Sequence, residues 1–210
     1  MHPLTVCVFD LDHTLVSSPL DLRAVSMEME AFVRSHGLAL PPREHRWSGA
    51  EIFDLVRREA AHLEREIIAI PVAHERRAME QARLEPYAAE AVTAIRERGA
   101  ATAVWTNNDR VVADHVLSRL ELISHFDLVV TRDDVIRLKP DPDGLRVVRT
   151  RWPLAERIVV VGDSWVDGAA AMAGGVPFIA YRADLAEMDR RGVATVAQIS
   201  SLLELPAAIA

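Results

Sequence analysis

Short apolar runs recur along the chain and predict the strands of a β-sheet. These runs of four to six residues are rich in apolar and β-branched side chains, with little alternation between apolar and polar positions. Such runs are typical of strands that are buried on both faces, as in a parallel sheet. Pro177 cannot donate a ladder hydrogen bond, which favours an edge position for the last strand. The five predicted strands cover residues 4–9, 101–105, 126–130, 158–161 and 176–180.

Amphipathic helical patterns separate most of these apolar runs. One pattern begins after Pro86 and ends before Gly99, a residue type that commonly follows the last turn of a helix. Another carries Val112, Val116 and Leu120 at four-residue spacing, which places them on one helical face. Strands that alternate with helices predict an α/β fold with a parallel sheet. The predicted helices cover residues 88–98, 109–120, 141–150 and 166–173.

Residues 17–84 interrupt this alternation, because they show helical patterns without a convincing strand. Ser18 is the predicted N-cap of the first helix of this segment. The segment from Ser48 to Glu51 has a capping-box pattern that opens a second helix, and we expect Pro71 to end it. A third helix is expected over residues 73–84. The pattern therefore predicts an all-helical domain at 17–84, inserted into an α/β core domain at 1–16 and 85–210.

Composition and charge narrow the class of protein. Half of the 210 residues are hydrophobic and the formal net charge is -7. A half-apolar chain of this length can bury a core, which argues against global disorder. The acidic balance argues against a nucleic-acid partner, because a surface that follows phosphates needs clustered Lys and Arg. The net charge does not exclude a small anionic substrate, because a local cationic pocket can lie on an acidic protein.

Cysteine content and the apolar segments predict the compartment. The single cysteine, Cys7, cannot form an internal disulfide, which fits a reducing environment. The apolar run from Leu4 to Phe9 meets Asp10 and Asp12 too early for a secretory signal. No stretch approaches the ~20 apolar residues of a membrane span. We therefore expect a cytoplasmic protein without a membrane partner.

Two carboxylates directly follow the first predicted strand, in the segment Phe9-Asp10-Leu11-Asp12-His13-Thr14-Leu15. Side chains two residues apart in a strand point to the same face, and open α/β sheets bind ligands at the carboxyl ends of their strands. Two like charges at about 4 Å repel each other by roughly 4 kcal/mol at an effective dielectric constant near 20. A divalent cation would cancel this repulsion between Asp10 and Asp12.

Further polar residues come after the later strands. The hydroxyl of Thr106 and the backbone amides of the turn that contains Asn107 suit a phosphate at a helix start. Lys139 stands just before a predicted helix, where its ammonium could neutralise a phosphoryl oxygen. Asp163 and Asp167 add two carboxylates, which suit Mg²⁺. Each of these residues alone is typical of a turn or a surface, but their joint occurrence at strand ends favours one functional site.

These segments resemble the four signature motifs of the haloacid dehalogenase (HAD) superfamily and follow them in the family's order. The resemblance covers roughly residues 4–16 and 86–183, and it is closest to the phosphoglycolate phosphatase-like members with a helical (C1-type) cap. It implies a Rossmann-like core with a cap domain inserted after the first motif, at residues 17–84. His13 departs from the family pattern, which commonly has Gly there, and this reduces the backbone freedom of the loop.

The resemblance implies a Mg²⁺-dependent phosphatase that acts through an aspartyl-phosphate. Asp10 would be the nucleophile, and Asp12 would protonate the leaving oxygen and then activate water. The phosphoryl group would be bound by Thr106, Asn107 and Lys139. The Mg²⁺ ligands would be Asp10, the backbone carbonyl of Asp12, Asp163 and Asp167, the last of them directly or through its neighbours.

Alternative functions use the same residues. An acid at position 12 favours a phosphatase over a dehalogenase, because the dehalogenase branch has no acidic residue there. A phosphotransferase or phosphomutase with the same aspartyl-phosphate stays open, as does a non-catalytic binding protein on this fold. We expect the partner to be a small phosphorylated metabolite. A basic and aromatic cluster in the insertion either contacts such an anion or forms a solvated loop, and it consists of Arg43, His45, Arg46 and Trp47.

Overall fold

The computed structural model describes residues 4–42 and 46–209, and the chain divides into two compact units. The first unit contains residues 1–18 and 82–210, and the second contains residues 19–81. The first unit is built from strands and helices, whereas the described part of the second is helical. The short segments 17–18 and 82–84, which lie next to the predicted domain limits, group with the first unit.

A six-stranded parallel sheet forms the centre of the first unit. Its strand order is β5-β4-β1-β6-β7-β8, and each neighbouring pair is parallel. The two remaining strands, β2 and β3, pair with each other as an antiparallel ribbon. The strands are β1 (Thr5–Phe9), β2 (Val16–Ser17), β3 (Arg83–Leu84), β4 (Ala101–Trp105), β5 (Leu128–Val130), β6 (Arg157–Gly162), β7 (Phe178–Tyr181) and β8 (Ala197–Ile199).

Helices follow most strands of the sheet, as the alternating sequence pattern predicts. The helix after Pro86 ends at Glu97, and Gly99 follows it with a positive φ of 83°, which a residue without a Cβ adopts readily. The helices of the first unit are α4 (Ala88–Glu97), α5 (Arg110–Arg119), α6 (Asp143–Arg151), α7 (Trp165–Ala173), α8 (Leu185–Arg190) and α9 (Leu205–Ala208), and those of the second unit are α1 (Leu22–Ser35), α2 (Gly49–Glu59) and α3 (Glu64–Glu80). Helices of three residues lie at 61–63, 123–125, 132–134 and 202–204.

The central strand β1 is buried on both faces. Its residues Val6, Cys7, Val8 and Phe9 are all fully buried, which explains the continuous apolar run. Val6 and Val8 belong to a core cluster that also contains Trp105 of β4. The sheet therefore has the layered Rossmann-like architecture of an α/β fold, with β1 between β4 and β6. The residue that follows β1 is consequently held at the middle of the sheet edge.

The edge of the sheet differs from the sequence prediction. Pro177 lies just before β7 rather than within it, and its carbonyl oxygen accepts a hydrogen bond from the Val160 backbone at 2.9 Å. The expected edge position of β7 was wrong, because a proline outside the strand removes no ladder hydrogen bond. The edge strand on this side of the sheet is β8, whose three residues form no continuous apolar run in the sequence.

Several helix boundaries in the second unit also differ from the prediction, and α3 (Glu64–Glu80) takes the place of the helix expected over residues 73–84. The N-cap of α1 is Asp21, whose side chain accepts a hydrogen bond from the Ala24 backbone at 3.0 Å, so the assignment of this cap to Ser18 was wrong. Pro71 lies inside α3 and does not end a helix. The hydrogen bond that Pro71 cannot donate is outweighed here, because the same helix buries Ile67 before it and Met79 after it.

The capping box that opens α2 is present as predicted. The Ser48 side chain accepts a hydrogen bond from the Glu51 backbone, and the Glu51 carboxylate accepts one from the Ser48 backbone at 2.8 Å. This reciprocal pair satisfies backbone donors that the first turn of a helix leaves open. Within residues 4–42 and 46–209, no helix is long and apolar enough to cross a membrane.

Candidate active site

The carboxyl ends of three neighbouring strands bring the predicted site residues together. Asp10 follows β1, Thr106 follows β4 and Asp163 follows β6, and these strands are adjacent in the sheet. The Asp10 backbone extends the ladder by donating to the Val161 carbonyl at 2.8 Å. Lys139 reaches the same edge from the loop before α6. The topology alone therefore explains why residues far apart in sequence meet.

Lys139 is the centre of this group. Its ammonium donates hydrogen bonds to Asp10 Oδ1 at 2.6 Å, to Asp167 Oδ1 at 2.5 Å and to the Trp105 carbonyl at 2.9 Å. The side chain is only 3% exposed. Burial lowers the pKa of Lys139, but the charges of Asp10 and Asp167 outweigh burial and raise the pKa above its usual value. Lys139 is therefore a charged ammonium held by two carboxylates.

Three carboxylates form a cluster that suits a metal ion. Asp10, Asp163 and Asp167 each offer an oxygen, and these oxygens lie within 4.8 Å of one another. Burial raises the pKa of Asp10 to about 7, and Asp167 adds to this while Lys139 opposes it. Burial raises the pKa of Asp163 to about 8, with further contributions from Asp10 and Asp167. The single ammonium of Lys139 does not neutralise the cluster, and an all-oxygen donor set with excess negative charge fits a hard cation such as Mg²⁺.

Asp167 is fixed by the first turn of α7. Ser164 is the N-cap of this helix, and its hydroxyl donates to Asp167 Oδ2 at 2.5 Å. A Cβ on Gly162 would lie 2.6 Å from the Asp167 Cβ, so glycine is required for this close approach. The strand and motif patterns do not by themselves predict these roles of Ser164 and Gly162. The signal for Ser164 is the capping-box spacing to Asp167.

Asp12 lies outside the carboxylate cluster and has different partners. Its Oδ2 accepts a hydrogen bond from the Ser18 hydroxyl at 2.8 Å, whereas Oδ1 is buried and has no hydrogen-bond partner within residues 4–42 and 46–209. Burial raises the pKa of Asp12, although the charge of His13 and the hydrogen bonds of Ser18 oppose the shift. A buried carboxyl group with a raised pKa and an oxygen without a partner can carry a proton toward a ligand.

The turn that carries Asp12 places His13 in the left-handed region of backbone conformation. His13 has a φ of 61°, in the left-handed region, and its side chain is exposed. Its backbone donates to the Val16 carbonyl at 2.6 Å, and Thr14 is fully buried. The Thr14 hydroxyl has no hydrogen-bond partner among the residues that the structure describes. His13 therefore adopts here a backbone angle that glycine would adopt without strain.

The turn after β4 holds the two remaining residues that the sequence assigns to phosphate. Thr106 is buried, and its hydroxyl oxygen accepts a hydrogen bond from the Asn108 backbone at 3.2 Å. This leaves the Thr106 hydroxyl proton available as a donor. The Asn107 carboxamide is bonded to the backbone of Lys139 at both of its polar atoms. The structure therefore bonds Asn107 to Lys139, and Thr106 lies beside them in the same turn, bonded to Asn108.

The basic and aromatic cluster of the insertion is only partly described. Arg43 and His45 lie outside the described residues. Arg46 is exposed, and the Trp47 indole donates to the Pro41 carbonyl at 3.3 Å. This contact fixes Trp47 within its own loop, and the interpretation of the cluster as a substrate contact stays a prediction.

Comparison with known sequences places this geometry in a family. The profile of the haloacid dehalogenase-like hydrolases matches residues 4–175. A phosphoglycolate phosphatase from Shigella dysenteriae is 30% identical over 198 residues, which cover 81% of this chain and 78% of the relative. A phosphoglycolate phosphatase from Cupriavidus necator is 32% identical over 189 residues, which cover 86% of this chain and 81% of the relative.

Solved structures share the fold at lower sequence identity. A hydrolase from Pseudomonas syringae has a TM-score of 0.72 and 22% identity, and the match covers 99% of this chain and 98% of that chain. A HAD-superfamily hydrolase of subfamily IA from Geobacter sulfurreducens has a TM-score of 0.63 and 21% identity, over 99% of this chain and 97% of that chain. With the profile match over most of its length, the chain belongs to the haloacid dehalogenase-like hydrolase family.

Proposed function

We propose that the protein is a Mg²⁺-dependent phosphatase, which hydrolyses a small phosphomonoester through an aspartyl-phosphate intermediate. The observation that carries the proposal is the contact of Lys139 with both Asp10 and Asp167, beside Asp163. A carboxylate that attacks a phosphate dianion is repelled unless fixed positive charge lies close to it. The two relatives that are named phosphoglycolate phosphatase support a phosphomonoester as the substrate.

The proposed reaction has two steps. In the first, an oxygen of Asp10 attacks phosphorus, the bond to the ester oxygen breaks, and Asp12 gives its proton to the leaving alkoxide. In the second, water attacks the phosphorus of the aspartyl-phosphate, Asp12 takes a proton from this water, and Asp10 is released with inorganic phosphate. The raised pKa of Asp12 favours the protonated form that the first step needs.

The remaining residues bind the charged groups. The hydroxyl of Thr106, the backbone amide of Asn107 and the ammonium of Lys139 would hold the phosphoryl oxygens at the start of α5. Mg²⁺ would be held by the carboxylates of Asp10, Asp163 and Asp167 and by the backbone carbonyl of Asp12. When bound, this ion supplies positive charge that neutralises the phosphate and the attacking carboxylate.

The second, helical unit is proposed to determine which substrate the protein accepts. We infer that the insertion between β2 and β3 acts as a cap domain, with the limits 17–84 that the sequence predicts. The site residues named above all belong to the first unit, so they provide the chemistry common to many phosphate esters. The second unit is then free to vary with the substrate, which we expect to be a small phosphorylated metabolite in the cytoplasm.

A screen for phosphate release tests the proposal. The purified protein with Mg²⁺ is assayed on phosphoglycolate, sugar phosphates, nucleotides and phosphoamino acids. Asp10→Asn should lower turnover by about 10³-fold or more, because the amide is a poor nucleophile. EDTA should remove activity and added Mg²⁺ should restore it. Isomerisation of a sugar phosphate without phosphate release would instead support a phosphomutase.

Asp12→Asn is the matched variant, since it makes the same chemical change two residues away. It should lower turnover of alkyl phosphates by about 10²–10⁴-fold, because an alkoxide needs a proton to leave. p-Nitrophenyl phosphate releases an acidic phenol, so formation of the phosphoenzyme from this ester should be much less affected. Wild-type activity in Asp10→Asn, or equal losses in the rate of phosphoenzyme formation from both kinds of ester in Asp12→Asn, would contradict these roles.

A further inference from the structure

The side chain of Asn107 forms a two-point contact with the backbone of Lys139. Asn107 Nδ2 donates to the Lys139 carbonyl at 3.0 Å, and the Lys139 backbone amide donates to Asn107 Oδ1 at 2.9 Å. The carboxamide therefore pairs with both peptide groups of one residue, as a neighbouring strand would. This pair joins two segments that lie 32 positions apart in the sequence.

Asparagine suits this contact for chemical reasons. A carboxamide offers one donor and one acceptor side by side, which a carboxylate or a hydroxyl does not reproduce. The Asn107 main chain is itself fixed, because its carbonyl accepts a hydrogen bond from Arg132 Nε at 3.0 Å. Arg132 is buried, so this support is shielded from water. Asn107 thus transmits the position of the β4 turn to the backbone of Lys139.

The backbone of Lys139 in turn determines where its ammonium lies. The ammonium reaches the Trp105 carbonyl at 2.9 Å and Asp10 Oδ1 at 2.6 Å, with the whole side chain buried. Short contacts of this kind tolerate little displacement, since misplacing a group by about 1 Å can cost about 10²-fold in rate. Loss of the Asn107 contact would release the Lys139 backbone without touching any other group of the site.

We propose that the Asn107 side chain is a positioning residue, which acts on a bound phosphoryl group only through the ammonium of Lys139. The proposal deepens the phosphatase assignment and rests on it. It assigns the phosphate contact of Asn107 to its backbone amide alone. A side chain that contacted phosphate directly would have to give up both hydrogen bonds to the Lys139 backbone.

A double-mutant cycle on phosphate binding tests this proposal. The four proteins are wild type, Asn107→Ala, Lys139→Met and the double variant, and the probe is inorganic phosphate with Mg²⁺ by titration calorimetry. Asn107→Ala should weaken phosphate binding by about 5- to 10-fold, the loss expected for a misplaced charge-assisted hydrogen bond. The double variant should bind phosphate within about twofold of Lys139→Met, because coupled residues are not additive.

Three outcomes would overturn the proposal. If Asn107→Ala weakened phosphate binding by the same factor in wild type and in Lys139→Met, the Asn107 side chain would contact phosphate itself. Unchanged phosphate binding in Asn107→Ala would show that Lys139 needs no such support. A lower melting temperature with additive phosphate effects would show a purely structural role. Asn107→Ser, which keeps a polar group, provides the second variant if the alanine protein does not fold.

The cycle separates this proposal from the phosphatase assignment. Phosphate binding is measured without turnover, so the cycle gives the coupling free energy between Asn107 and Lys139 whether or not the protein hydrolyses an ester. Failure of wild type to hydrolyse any ester would contradict the phosphatase assignment and leave the coupling measurable. Hydrolysis by wild type together with an additive cycle would contradict the positioning role alone.

Discussion

At the scale of single residues, His13 shows how one backbone angle shapes the candidate site. Its φ of 61° is unfavourable for a side chain with a Cβ, by roughly 1–2 kcal/mol. The turn is nevertheless closed by the hydrogen bond from the His13 backbone to Val16, at 2.6 Å, and by that from Leu15 to Leu11, at 2.9 Å. These contacts fix the loop that carries Asp12, so the strain is retained next to the functional residues.

The variant His13→Gly tests this interpretation. Glycine adopts a positive φ without strain but also makes the unfolded chain more flexible, so the net gain should be about 0.5 kcal/mol. The melting temperature should rise by about 1–2 °C, measured by calorimetry. His13→Ala is the matched control, because it removes the imidazole and keeps the Cβ. An equal rise in both variants would assign the effect to the imidazole rather than to the backbone angle.

The sequence identifies some individual residues and not others, for a physical reason. Asp10, Asp163 and Asp167 follow buried strands or begin a helix, so the strand order alone brings them together. Ser18 was assigned to a helix cap, since its local sequence has the residue types of a cap. Its hydroxyl instead donates to the buried carboxylate of Asp12 at 2.8 Å. A partner supplied by tertiary structure leaves no local pattern.

At the scale of elements, the packing of α6 against β4 places the residues around Lys139. Gly144 of α6 lies against the Trp105 indole, and a Cβ there would come within 2.1 Å of Trp105 Nε1. Trp105 is fully buried, and its carbonyl accepts a hydrogen bond from Lys139. The small residue therefore permits the close approach of helix and strand that the site requires.

Gly144→Ala should consequently destabilise the protein, although alanine favours helices. The added methyl group overpacks a rigid aromatic side chain, at a cost of about 1–3 kcal/mol. The melting temperature should fall by about 2–10 °C. Gly49→Ala in α2 is the matched control, because its Cβ would meet only the flexible Met29 side chain, at 3.3 Å. A melting temperature in Gly144→Ala equal to or above that of Gly49→Ala would refute the steric argument.

Strong patterns predicted the elements well, and weak or conflicting patterns did not. The strands near the centre of the sheet are continuous apolar runs, because successive residues on both faces are buried. The strand β8 has only three residues and is partly exposed, so no run marks it. Pro71 predicted a helix end by a local rule, but burial on both sides of it keeps α3 continuous. Tertiary packing, rather than local sequence, therefore determines where β8 forms and where α3 ends.

At the scale of the whole molecule, folding concentrates negative charge in one place. The chain carries a net charge of -7, and folding brings three carboxylates within 4.8 Å around one ammonium. Burial raises the pKa of Asp10 to about 7 and that of Asp163 to about 8. Groups with raised pKa values bind protons more tightly in the folded state, so their protonation stabilises the fold. This contribution is complete below about pH 4 and is lost as pH rises through about 7–8.

Magnesium and protons should therefore compete for the same carboxylates. In EDTA, the melting temperature should fall between pH 6 and pH 8.5, since Asp10 and Asp163 lose their protons in this window. Mg²⁺ at about 100 times its dissociation constant adds about 2.7 kcal/mol to the free energy of unfolding, because it binds only the folded state. The melting temperature at pH 8 should therefore rise by about 5–10 °C. The shift should be smaller at pH 6, because bound protons must first leave.

The variant Asp163→Asn should change the melting temperature in opposite directions without and with Mg²⁺, relative to wild type. In EDTA, the variant should melt at a higher temperature than wild type at pH 8, because one buried negative charge is gone. With Mg²⁺, it should lose most of the stabilisation, because the ion loses a carboxylate ligand. A general effect of salt would shift both proteins equally. Equal Mg²⁺ shifts in the two proteins, or a lower melting temperature of the variant in EDTA, would contradict a metal site built on this carboxylate cluster.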